Sequence, residues 1–141
     1  MDNISTGIKG FDDIMGGLYP GDNVVWQVED INNYKYVANA FAKKAIDDGK
    51  KVNYIKFGKM EPIIDDIESI NLFELDLDKG FEEFTMSVRN IIKTQSENAV
   101  YVFDSLTYIQ RGWYSDLMTV NFFKVTCPYL YKIGAVAYFS I

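Results

Sequence analysis

The strongest constraint on how this chain folds lies in two near-continuous apolar runs, Ala99–Phe103 (AVYVF) and Gly134–Ile141 (GAVAYFSI). Runs this short and unbroken suit strands covered on both faces, the setting of a parallel sheet flanked by helices. Other segments fit the same plan. Asn23–Val28 (NVVWQV) reads as a first strand and Lys51–Phe57 as a second, with Val52, Tyr54 and Lys56 on one face and Asn53, Ile55 and Phe57 on the other. Leu72–Leu77 alternates as a short edge strand.

Between the strands, Asn32–Asp48 repeats Val37, Ala38, Phe41, Ala42, Ala45 and Ile46 at helical spacing, and Gly49 stops it. Gly80–Ser96 is amphipathic through Phe81, Phe84, Val88, Ile91 and Ile92. Glu61–Ile70, with Pro62 near its start, reads as a short acidic helix. Ser115–Tyr131 contains a helix expected to break around Cys127 and Pro128. A short helix at Gly10–Met15 precedes a Gly16-Gly17 break and a Tyr19–Asp22 turn. Alternating strands and helices predict an α/β fold, a three-layer sandwich around a mainly parallel sheet with right-handed crossovers. The 141 residues fit one domain, 1–141, with residues 1–22 leading into a core over 23–141.

Charge and composition narrow the function. The formal net charge of −6 and the lack of a Lys/Arg-rich block argue against nucleic acid, whose phosphates need a cationic surface. No His is present, so a His-based triad or a His-ligated zinc is excluded. Cys127 is the single cysteine, which fits a reducing, cytoplasmic setting. The first ten residues lack the pattern of a signal peptide, and no apolar stretch reaches the about 18–20 residues that span a bilayer. Aromatic residues make up 16% of the chain, to be spent on the core or on an exposed binding face.

Three features carry a family resemblance. Ile4–Asp22 (ISTGIKGFDDIMGGLYPGD) pairs Ser-Thr-Gly with an apolar-Asp pair, Gly-Gly and Pro-x-Gly just before the first strand. Ala99–Thr107 (AVYVFDSLT) is an apolar strand ending in Asp-Ser-Leu-Thr. The order of elements between them completes the pattern. Together they resemble the KaiC and archaeal RecA-type ATPase core, with Ala99–Thr107 similar to its Walker B strand. The resemblance implies the strand order first, last, Walker B, second, which leaves Asn23–Val28 as an edge. Val24, Val25 and Trp26 lie along that edge, which could pair with another chain. Trp26 is then either an exposed anchor or part of the core. The family's core continues beyond the strand matching Gly134–Ile141, so the chain is either cut short or ends on a buried strand.

The departures from the family bear on activity. Where it carries GxxxxGK[ST], whose glycines wrap phosphates in backbone N–H groups, this chain has Glu29-Asp30-Ile31-Asn32-Asn33-Tyr34-Lys35-Tyr36. Lys35 aligns with the motif lysine, Tyr34 with the last glycine and Tyr36 with the Mg²⁺-binding hydroxyl residue. Bulky residues resist φ > 0. Two carboxylates at the phosphate position repel an anion by about 4 kcal/mol at about 4 Å and an effective dielectric near 20. After the second strand, Gly58, Lys59 and Met60 stand where the family has its catalytic Glu, and Glu61 is the nearest carboxylate. Asp104 matches the residue that holds Mg²⁺ through water, and without the loop it is expected to cap Ser105–Thr107 or bond the turn there. Lys35 is expected on the helix face, paired with Glu29 or Asp30. Arg111 follows the Walker B turn and is expected to be exposed.

These observations predict a pseudo-ATPase without catalytic residues, acting through protein contacts as a homo-oligomer or beside an active relative. The alternative is a protein that binds ATP and Mg²⁺ through Lys35 and Asp104 without efficient hydrolysis. Nucleic-acid binding is a third reading, opposed by the charge.

Overall fold

The computed structural model describes residues 3–95, 98–113 and 116–141, apart from the side chain of Trp113. The expected helix limits at Ser96 and Ser115 lie outside the described residues. In chain order the elements are α1 (Lys9–Met15), β1 (Asn23–Trp26), α2 (Ile31–Asp47), β2 (Lys51–Phe57), β3 (Asn71–Leu75), α3 (Phe81–Thr94), β4 (Ala99–Asp104), α4 (Leu106–Trp113), α5 (Asp116–Lys132) and β5 (Val136–Ser140).

All five strands are parallel and lie in the order β1-β5-β4-β2-β3. The last strand is thus inserted between the first strand and β4, the order the resemblance implies, and β1 is an edge. Alternation assigns the two faces. Val52, Tyr54, Val100, Val102, Val136 and Tyr138 pack under Ala38, Phe41, Ala42 and Ala45 of α2. Ile55, Phe57, Tyr101, Phe103 and Phe139 pack against Phe84, Val88 and Ile92 of α3, Leu106 and Ile109 of α4, and Phe122 and Leu130 of α5. The result is the three-layer α/β sandwich.

The aromatic content goes mostly into this core. Tyr54, Tyr101, Tyr138, Phe41, Phe57, Phe84, Phe103, Phe122 and Phe139 are fully buried. Each of the buried phenylalanines contributes about 1.5–3 kcal/mol relative to exposure. Phe103 stacks on Phe139 across neighbouring strands at 4.7 Å, and Phe41 of α2 stacks on Tyr138 at 3.9 Å. The N-terminal segment is tied down separately. Asp12 accepts from the Thr6 N–H at 2.9 Å and hydroxyl at 2.7 Å, and from the Ser5 hydroxyl at 2.5 Å.

Several local expectations differ from the fold. Residues 61–70 form no α-helix, only a short 3-10 turn at Ile67–Ser69. Their backbone is captured by tertiary partners instead: Asn39 of α2 donates to the Ile63 carbonyl and accepts from the Asp65 N–H, each at 2.8 Å. Helix α5 runs unbroken through Pro128. The proline lies on the solvent side of the helix, where water can serve the carbonyl one turn back that loses its donor. The first strand ends at Trp26, two residues earlier than expected, and α4 fills what reads from sequence as a turn after β4.

Candidate functional site

In open α/β sheets, the carboxyl ends of the strands are where ligands bind. Here that edge carries Lys56 at the end of β2, Asp104 at the end of β4 and Ser140 at the end of β5, on the α2 side of the sheet. Lys56 and Asp104 are paired partners in adjacent strands. All three residues are buried.

Asp104 is only 1% exposed. Its Oδ2 accepts from the Tyr54 hydroxyl, and its Oδ1 receives a long contact of 3.5 Å from the Ser140 hydroxyl. It is not a helix cap: the carboxylate turns back along the sheet, because these two hydroxyls project from neighbouring strands on the same face. Burial pushes the Asp104 carboxyl above the usual range, against the opposing pull of Tyr54, Ser140 and the Lys56 charge. The peptide joining Asp104 to Ser105 is cis.

Around this carboxylate the space is filled. The Tyr54 hydroxyl also accepts from the Ile63 N–H at 3.2 Å, which draws the segment after β2 over the site. Lys56 donates to the Met60 carbonyl at 2.5 Å and pairs with Glu74 at 2.8 Å. Tyr34, from the first turn of α2, is 3% exposed. Burial raises its phenol far above the ordinary range, and the Asp104 carboxylate adds to that shift. Ser140 lies near the Tyr34 hydroxyl, yet that hydroxyl forms no hydrogen bond among the described residues.

The segment Glu29–Tyr36, expected from the resemblance to stand where a phosphate loop would be, is mostly helix. Helix α2 starts at Ile31, and Asp30 caps it. The Asp30 carboxylate accepts from the Asn32 N–H at 2.9 Å, and its carbonyl accepts from the N–H groups of Asn33 at 3.1 Å and Tyr34 at 3.3 Å. N–H groups that a phosphate loop leaves free are therefore taken within the chain.

Lys35 and Asp104 are not joined. Lys35 lines an open cleft of about 680 Å³ on the outer side of α2 with Gly7, Lys43 and Lys44. Among the described residues no ion pair or hydrogen bond links its ammonium to Asp104, Glu29 or Asp30. The cation that acts on Asp104 is Lys56, which the sequence shows only as a polar interruption in β2. Glu61 is exposed, as is Arg111 on α4. Arg111 lines a cleft of about 540 Å³ with Lys59, Asp76, Asp78 and Tyr108.

Along the edge, Val24 and Trp26 face the α2 layer and are half-buried, whereas Val25 faces the other way and is 49% exposed. The Trp26 ring stacks on Phe11 of α1 at 5.7 Å and tilts against Tyr138 at 5.5 Å. Of the two readings of Trp26, the packed one holds. Among the described residues no group of three or more metal-ligating side chains could hold an ion, and no helix is long and apolar enough to cross a membrane. No protein-family model matches the chain, and a comparison with curated proteins finds no match.

Proposed function

We propose that this chain is a non-catalytic relative of the RecA/KaiC-type ATPases whose sheet and helices serve protein association in the cytoplasm. One observation carries the reading. The first turn of α2 fills the place of a phosphate loop, with Asp30 capping it and Tyr34 buried near Asp104. A phosphate there would meet carboxylates and already bonded N–H groups. Partners are other proteins, either copies of the chain or a related ATPase, and the open edge at β1 is the surface offered to them. The acidic charge argues against nucleic acid as a partner.

The test is a melting curve with and without millimolar ATP and Mg²⁺. A ligand that binds only the native state raises the midpoint by mass action. The expected result is no shift. A rise of several degrees, abolished by Lys35→Glu, would establish instead a nucleotide site that uses Lys35.

A further inference from the structure

The open edge at β1 has a symmetry of its own. In the parallel pairing with β5, the Asp22 and Trp26 carbonyls and the Val28 N–H point toward β5. Backbone direction alternates along a strand, so Asn23, Val25 and Gln27 turn their N–H and C=O groups to the open side. The three are evenly spaced about Val25. We propose that β1 pairs with β1 of a second copy, antiparallel across a two-fold axis at Val25, so that two five-stranded sheets join into one. This rests on the reading of the chain as an association module and names its partner.

Helix α5 supports the choice of occupant. It packs over β1 and β5, and the ring of Tyr131 lies against Gly21 just before β1. Thr119, Phe122, Thr126 and Leu130 face the core. The opposite side still carries apolar groups at helical spacing: Leu117 is 63% exposed, Val120 46% and Tyr131 73%. By that spacing Val120 and Tyr131 lean to the β1 flank, while Tyr129 leans the other way and is covered by Arg89 of α3. A two-fold axis perpendicular to the sheet keeps both α5 helices on one face and brings these flanks together.

Charge and area agree with a second copy. The chain carries −6, so identical surfaces can meet only where charge is sparse. Strand β1 has no ionisable residue, and Lys124 is the one charge within the Leu117–Tyr131 stripe. Val25, Val120 and Tyr131 together expose on the order of 300 Å² of mostly apolar surface, the scale of the largest apolar patch on a typical monomer.

Light scattering on the full chain, across a concentration series, tests the proposal. The expected species has twice the 16.2 kDa chain mass. Val25→Pro removes an N–H that faces only the open side, so the ladder to β5 survives while the dimer weakens at least tenfold. Tyr131→Glu, at an exposed site, weakens it similarly, and circular dichroism checks that both variants stay folded. In a Cys127→Ser background, Val25→Cys is expected to crosslink under oxidation, since paired Cα atoms about 5.5 Å apart suit a disulfide. Met86→Cys, exposed on α3, serves as the control that does not. A monomer throughout, or a dimer that ignores both variants and forms no Val25→Cys crosslink, overturns the proposal. Neither outcome touches the reading that the chain holds no nucleotide, which fails if ATP raises the melting midpoint.

Discussion

The Tyr54 hydroxyl donates to Asp104 across the neighbouring strands β2 and β4, and the same oxygen accepts the Ile63 N–H. One phenol therefore serves a buried carboxylate and fixes the segment that covers it. Tyr54→Phe strands both partners at once. A buried group left unpaired costs about 1–3 kcal/mol. Urea unfolding should show a loss in that range or above, and a loss under about 0.5 kcal/mol would mean that the bond carries no weight.

Asp104 should depend on pH in a defined direction. Its folded pKa is raised, so the contribution it makes is fully present below the unfolded value and is lost as pH rises through the folded one. At neutral pH the ionised carboxylate is a burden. Asp104→Asn keeps an acceptor for Tyr54 and is expected to be more stable than the parent at pH 7. That advantage should shrink as the pH falls toward 4. Melting curves across this range decide it, and an advantage constant with pH would contradict the assignment.

Asp12 should behave in the opposite sense. Burial pushes its pKa upward, but the hydrogen bonds from Ser5 and Thr6 and the charge of Lys44 outweigh burial and hold it below the ordinary value. A lowered folded pKa gives stability that is present above the unfolded value and lost as pH falls through the folded one. Asp12→Asn is therefore expected to be less stable than the parent at pH 7, with the difference closing below about pH 4. Denaturation midpoints at pH 7 and pH 3 test the sign.

Gly7→Ala probes how tightly the N-terminal segment docks on α2. Gly7 has φ of +79°, and a Cβ there would lie 2.1 Å from the Ala40 carbonyl oxygen. That neighbour is helix backbone and cannot swing aside. The expected cost exceeds about 3 kcal/mol, in the tail reserved for steric conflict and strain. A variant that unfolds within 1 kcal/mol of the parent would show that the segment lifts away freely.

Much of the fold is legible because its signals are local. The runs at Ala99–Phe103 and Gly134–Ile141 have no solvated face, and Val52 and Tyr54 alternate with Asn53, Ile55 and Phe57, with Lys56 a polar interruption. Residues 61–70 misread as helix because their acidic, Pro-led pattern is local, whereas the bonds from Asn39 and Tyr54 that hold them come from other elements. Pro128 removes one helix hydrogen bond and crowds the carbonyl one turn back, a cost eased where that carbonyl meets water, and sequence does not say which side faces solvent. At the site, Asp104 stands out as the polar end of an apolar strand. Its partners did not, because Tyr54 and Ser140 read as ordinary strand residues until register sets them beside it. Tyr34 is visible in sequence as a bulky residue where the family it resembles carries a glycine, but that its ring turns inward depends on α2 starting at Ile31.

The cap on α2 has one further consequence. Asp30 offers the helix start a negative group that never diffuses away, at an effective concentration on the order of millimolar or more. Any free anion seeking that helix start competes with a tethered rival and must first unwind a turn already closed. Placing glycines in this turn alone would not expose the helix start, because the competitor is part of the chain.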